Sequence, residues 1–167
     1  MSPSEKVEEA SNLKATADSA FRESNLELAL DKWLEAARML EDVVNPDLPP
    51  ADGEETPGVI EAATRCYSNC SLACLKASRW KEAIDHAEKA IERHAATAGF
   101  KAHFRAAQAG RHLGQLERAK QHLDASLRLS PGSAALLQEQ VELKKAIALV
   151  KAKKKKAYGG MFSSKGR

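Results

Sequence analysis

Residues 79–94 read RWKEAIDHAEKAIERH. Trp80, Ala83, Ala87 and Ala90 recur at spacings of three and four, which places them on one face of a helix. Alanine on such a face lets a neighbouring helix approach closely. The pattern returns twice, in NLELALDKWLEAARML at 25–40 and QLERAKQHLDASLRLS at 115–130. Each copy opens with a large residue (Leu26, Trp80, Leu116), followed three residues later by Ala29, Ala83 or Ala119. Trp33, Ala87 or Leu123 comes next, then Ala36, Ala90 or Ser126. Three copies of one apolar face define an internal repeat, and each copy is the second helix of a hairpin.

The first helix of each hairpin lies immediately upstream, in LKATADSAFRES, CYSNCSLACLKA and HFRAAQAGRHLG. Small residues recur there at Ala17, Ser71 and Ala107, twelve positions before the matching alanine. The unit is helix, tight turn, helix, of the 34-residue kind. Ala29 and Ala83 are 54 residues apart, so about twenty residues are inserted between the first and second units. They fall in VVNPDLPPADGEETPG at 43–58, whose four prolines and two glycines predict a long loop. Beyond Gly132, apolar residues at Leu136, Leu137, Val141, Leu143, Ile147 and Val150 predict a seventh helix covering the open end of the last unit.

Composition agrees with an all-helical chain. Of its 167 residues 43% are hydrophobic but only 5% aromatic, which suits helices packed through small side chains. No apolar run is long enough to span a membrane, and MSPSEKVEEASN is too polar for a signal peptide. A soluble, cytoplasmic protein is expected, with the nucleus as a further compartment. Seven of the 26 basic residues crowd into 151–167 without an acid, leaving 19 basic against 23 acidic side chains in the first 150. That balance argues against a nucleic-acid-binding body. Cys66, Cys70 and Cys74 form a stripe on one helix, which predicts buried thiols in a reducing compartment rather than disulfides or a metal site.

In stacked hairpins the first helices line the concave surface. The inward positions are Lys14, Asp18, Phe21 and Arg22, then Arg65, Asn69, Leu72 and Lys76, then Lys101, Phe104, Arg105, Gln108 and Arg111. Seven of these thirteen are cationic within an acidic body, so the groove is expected to attract an acidic ligand.

The repeat resembles the tetratricopeptide repeat over about three-quarters of the chain, with Pro131 just after the third unit, where that repeat often carries a proline. The resemblance implies three hairpins in a right-handed superhelix plus a capping helix, seven helices in all. It implies a single domain over 1–157, with repeats at about 10–43, 58–96 and 98–130, a loop at 44–57, a capping helix at about 132–157 and a flexible tail at 158–167. Some members of this family hold the acidic C-terminal peptide of cytosolic heat-shock chaperones in a carboxylate clamp. Its pattern is Lys and Asn four apart in the first unit, Asn in the second, and Lys and Arg four apart in the third. Lys14, Asn69, Lys101 and Arg105 match it. Convergent cations and an amide donor give charge-assisted bonds to carboxylates. Lys76, Phe104 and Gln108 are expected to border the same peptide. Asp18 departs from the pattern, since at neutral pH it accepts hydrogen bonds and donates none. Weaker binding, a different peptide end, and a clamp that binds no chaperone all remain open.

KKKKAYGGMF at 153–162 is similar to the end of the large FKBP-type immunophilins and cyclophilin co-chaperones, which also carry an insertion between units one and two. In that family the segment is associated with calmodulin. No alternating strand pattern marks an isomerase domain, and His86, His94, His103, His112 and His122 are scattered without a nucleophile. The expected function is therefore that of an adaptor, not an enzyme, without cofactor or metal, binding an acidic chaperone tail. The alternatives are a scaffold for another acidic partner, its groove altered by Asp18, and occupation of the groove by the acidic loop Asp47 to Glu55.

Overall fold

The computed structural model describes residues 1–44 and 56–165, with side chains described for 1–44 and 58–161. Three turns of the same design join its hairpins. Ser24, Ser78 and Gly114 adopt positive φ (62°, 58° and 76°), and the residue after each sends its N–H five residues back: Asn25 to Ala20, Arg79 to Cys74, Gln115 to Gly110. This is the Schellman closure that satisfies the last carbonyls of a helix. Asn25, Arg79 and Gln115 then open the next helix, their carbonyls accepting from Ala29, Ala83 and Ala119. Glycine takes the left-handed conformation without penalty at the third turn only.

The elements are α1 Pro3–Arg22, α2 Leu26–Val43, α3 Thr56–Lys76, α4 Trp80–His112, α5 Leu116–Leu129 and α6 Ala134–Lys165. No strand occurs among the described residues, and no described helix is long and apolar enough to cross a membrane. Each helix packs on its chain neighbours, while α1 also touches α3 and α4 also touches α6. This is the stacking of a hairpin solenoid.

Six helices stand where seven were expected. The second helix of unit two and the first helix of unit three run together as α4, whose path breaks only at His94 (φ −159°, ψ 91°) and Gly99 (φ 58°, ψ −161°). No proline separates them, and the connection is a single distorted turn in which the His94 side chain caps the second segment, its Nδ1 accepting from Thr97 N–H. Ala83 and Ala119 are 36 residues apart rather than 34, and this break accommodates the difference. The capping helix runs past its expected end at 157 to Lys165, although Gly159 and Gly160 are weak helix formers. Residues 158–165, expected as a flexible tail, are thus helical in backbone. The expected loop falls almost wholly on 45–55, outside the described residues, as does the acidic pseudo-ligand.

The small residues seen in the repeat are the helix contacts. Ala17, Ala29, Ala36, Ala83, Ala87, Ala90 and Ala119 are fully buried. Ser71 Oγ donates to the Ala83 carbonyl at 2.7 Å, and Ser126 Oγ to the Phe100 carbonyl at 2.8 Å. A Cβ on Gly110 would stand 3.1 Å from the Ala119 Cβ. Cys66, Cys70 and Cys74 are buried free thiols in the main core with Trp33, Tyr67 and Ile84. A second core, Ala107, Ala119, Leu123, Leu136 and Leu143, joins the third unit to α6. There Arg111 Nε donates to Glu139 Oε1 at 2.5 Å and Nη2 to Oε2 at 3.3 Å, with Glu139 only 4% exposed. This buried pair ties the cap to the last repeat.

Candidate functional site

The inner surface is built by α1, α3 and the part of α4 beyond Gly99, and its charges are not equally available. Lys14 Nζ lies 2.7 Å from Asp18 Oδ2, an i,i+4 pair on α1. Asp18 Oδ1 accepts from the indole Nε1 of Trp33 on α2 at 2.9 Å. Trp33 is 2% exposed, so its N–H needs an acceptor, and Asp18 is that acceptor. Cys66 of α3 lies close enough to sense both Lys14 and Asp18, although burial is the main cause that raises its thiol to about 11.

At the other end of the surface Arg105 is half-buried, and its Nη1 donates to the Ser68 carbonyl at 2.5 Å and to Ser68 Oγ at 2.8 Å. Burial draws its guanidinium below the ordinary arginine range, yet an arginine stays charged at neutral pH. These bonds hold Arg105 of the third unit against the residue next to Asn69 in the second. Nε and Nη2 of Arg105 have no partner among the described residues. Lys101, one turn earlier, is exposed, and neither it nor the half-buried Asn69 has a side-chain hydrogen bond or ion pair among the described residues. Phe104 and Gln108 are half-buried on the same helix, and Phe104 packs on the second core.

The remaining expected cations are committed. Lys76 Nζ sits 5.2 Å from the centre of the Phe21 ring, a cation–π contact joining α3 to α1. Arg65 pairs with Glu61, Arg111 with Glu139, and Arg22 bonds Ser19. Counting seven cations from sequence therefore overstated the positive field. Lys14 pairs with Asp18, Arg65 with Glu61 and Arg111 with Glu139, whereas Lys101 and Arg105 pair with no carboxylate among the described residues, and Arg22 and Lys76 keep their charge beside a hydroxyl and a ring.

Sequence reasoning missed the partners: Trp33 for Asp18, Ser68 for Arg105, Glu139 for Arg111. Only Trp33 left a signal, since a buried tryptophan in a column otherwise holding Ala87 and Leu123 requires an acceptor nearby. Two of the scattered histidines also meet. His103 Nδ1 lies 3.0 Å from His122 Nδ1, and His122 Nε2 lies 2.9 Å from Glu88 Oε1, which Arg118 Nε also reaches at 2.8 Å. A carboxylate only accepts, so His122 donates from Nε2 to Glu88, and one proton is shared between the facing Nδ1 atoms of His103 and His122. The chain ends at an arginine with no nucleophile and works as a brace between units two and three. Cys74, Glu82 and His86 bring ligand atoms within 4.8 Å of one another, but Arg79 bonds both Glu82 oxygens and burial raises the Cys74 thiol to about 11. On α6, Lys154 falls between Met161 and Tyr158 around the helix, so these exposed residues do not form the clear apolar face that the calmodulin expectation requires.

No model of a known protein family matches the chain. Peptidyl-prolyl cis-trans isomerase D of Eremothecium gossypii is 27% identical over 154 residues, which is 90% of this chain and 40% of that protein. Among solved structures, the C-terminal TPR-containing domain of a Plasmodium falciparum protein described as FK506-binding is similar with a TM-score of 0.73 at 21% identity, over 93% of this chain and 97% of that one. The second TPR domain of human RPAP3, in complex with the HSP70 peptide SGPTIEEVD, gives a TM-score of 0.64 at 22% identity, over 86% of this chain and 98% of that one. At these identities the likeness is one of architecture. The chain has the tetratricopeptide-repeat fold.

Proposed function

We propose that this chain is a protein-interaction adaptor that takes the acidic C-terminal peptide of a heat-shock chaperone into its concave surface. The observation that carries the reading is the pair Lys101 and Arg105, one exposed and unpartnered among the described residues, the other braced on Ser68 with donors to spare. Charged donors held in place bind carboxylates through short, strong bonds. Asn69, beside Ser68, supplies an amide donor, and Phe104 an apolar wall for a ligand side chain. Gln108 and Lys76 border the same surface. The similar RPAP3 domain was solved with a peptide of this acidic class, which supports the choice of ligand. A binding module needs no catalytic group, and a role beside cytosolic chaperones suits a chain whose three thiols are free.

Calorimetry with SGPTIEEVD tests the reading. Binding by the wild-type chain, weakened tenfold or more by Lys101→Ala, is expected, since losing one charged partner costs about 1.5–3 kcal/mol. Absence of binding, or binding indifferent to Lys101, overturns it. The Lys14–Asp18 pair favours a second reading, a scaffold for a different acidic partner. Recovery of peptide binding only in Asp18→Asn would select that one.

A further inference from the structure

We propose that Asp18 is a specificity-determining residue. It closes the first-unit end of the groove to a free chain-terminal carboxylate, so that the preferred ligand is an acidic segment read through its side-chain carboxylates at Lys101 and Arg105, whether or not the chain ends there. This rests on the adaptor reading for the cations of the third unit and narrows its ligand, so that acidic side chains and not the terminal carboxylate of such a peptide supply the recognition.

The argument starts from how Asp18 is held. Trp33 is buried and cannot follow a ligand, and its N–H fixes Oδ1 at 2.9 Å. Oδ2 is taken by Lys14 at 2.7 Å. The pair is neutral as a unit, and Asp18 has lone pairs but no proton to offer. A carboxylate arriving at Lys14 would meet the Asp18 carboxylate at close range, whereas a carboxamide or a peptide N–H would find an acceptor. Like charges at such distances repel strongly when partly shielded from water.

The opposite end carries the reverse preference. Lys101 is exposed without a partner among the described residues, and Arg105 keeps Nε and Nη2 open while Nη1 stays on Ser68. No described acid pairs with either residue. Acidic side chains of a bound segment therefore collect along α4, and the position facing Asp18 goes to a neutral or donor-bearing group. A chain that continues past its acidic residues satisfies that requirement, and so does a terminus whose charge is removed.

The test compares SGPTIEEVD as a free acid, the same peptide with a C-terminal amide, and the same acidic residues embedded in a longer peptide, each titrated into the full chain. Wild type is expected to bind amide and embedded forms at least as tightly as the acid, and Asp18→Asn to shift preference toward the free acid by about tenfold, the scale of a removed charge repulsion. The carboxamide introduced by Asp18→Asn keeps an oxygen for the Trp33 indole, so the variant stays folded, which an unchanged melting transition verifies. A wild-type preference of tenfold or more for the free acid, or an Asp18→Asn variant with the wild-type ranking, overturns the inference while leaving the adaptor reading intact. Failure of all three peptides to bind wild type, or indifference of binding to Lys101→Ala, overturns the adaptor reading and this inference with it.

Discussion

Trp33 donates its indole N–H to Asp18 across the first hairpin, at 2.9 Å, from a side chain that is 2% exposed. The bond makes Asp18 part of the fold as well as of the groove. Asp18→Ala leaves a buried donor unsatisfied and is expected to destabilise the chain by about 1–3 kcal/mol, whereas Asp18→Asn preserves an acceptor and costs less than about 1 kcal/mol. Urea unfolding of the two variants checks this. Equal losses would mean that the bond contributes only through its charge.

Arg111 and Glu139 form the other contact on which the architecture depends, a two-pronged pair with Glu139 4% exposed. Glu139→Ala strands a half-buried cation, and a loss of about 3 kcal/mol is expected, with faster amide exchange at the start of α6. Replacing both partners, Arg111→Met with Glu139→Leu, should recover most of it, because apolar side chains of similar volume need no solvation. Chemical denaturation of the single and double variants separates the two outcomes.

Acidification should weaken the fold in two stages. Burial holds His86, His103 and His112 below the ordinary histidine value of 6.5, with the neighbouring His122 adding to the effect on His103 and Arg111 to that on His112. The folded chain then binds fewer protons than the unfolded one, so this stability is fully present above about 6.5 and is lost as pH falls below it. Glu88 follows at lower pH. Burial pushes its carboxyl up, but Arg118 and His122 outweigh that and hold it below 4.5, so its contribution is present above 4.5 and lost as pH falls through the folded value. The melting midpoint is expected to drop between about pH 7.5 and 5.5, and His103→Asn to flatten that drop. A midpoint that rises over this range would contradict the assignment.

The three cysteines should be unreactive in the native chain. Burial raises Cys66 and Cys74 to about 11 and Cys70 further still, and all three side chains are shielded from water. A thiol at about 11 carries about a hundredfold less thiolate at neutral pH than one at the ordinary 9.0. Labelling with a chromogenic disulfide should therefore be slow in buffer and rapid in denaturant, with three equivalents released. Prompt native labelling would show that the stripe opens.

The hairpins were legible because packing between helices leaves a one-dimensional trace. Ala29, Ala83 and Ala119 are small since another helix lies against them, and that demand recurs at each repeat. Helix ends were less legible. AATAGF at 95–100 contains one glycine and no proline, and the capping side chain before it is a histidine rather than Ser, Thr, Asp or Asn, so the break at His94 and Gly99 leaves little signal in sequence. The repeat assigns Lys14, Asn69, Lys101 and Arg105 a common register, but it carries no information on their availability. Which cations are spent depends on side chains from other elements, Ser68 and Glu139 among them, and such pairings have no periodicity to betray them.

The break in α4 leaves no slack between the second and third units. With only the turn from His94 to Gly99 between two packed helices, the pitch of the third hairpin hangs on a few backbone torsions, and Gly99, at φ 58° and ψ −161°, occupies a region closed to side-chain-bearing residues. Gly99 thus acts as the set-screw of the groove. A substitution there touches no ligand, yet it would swing Lys101 and Arg105 as a block and change the span that a bound peptide must bridge.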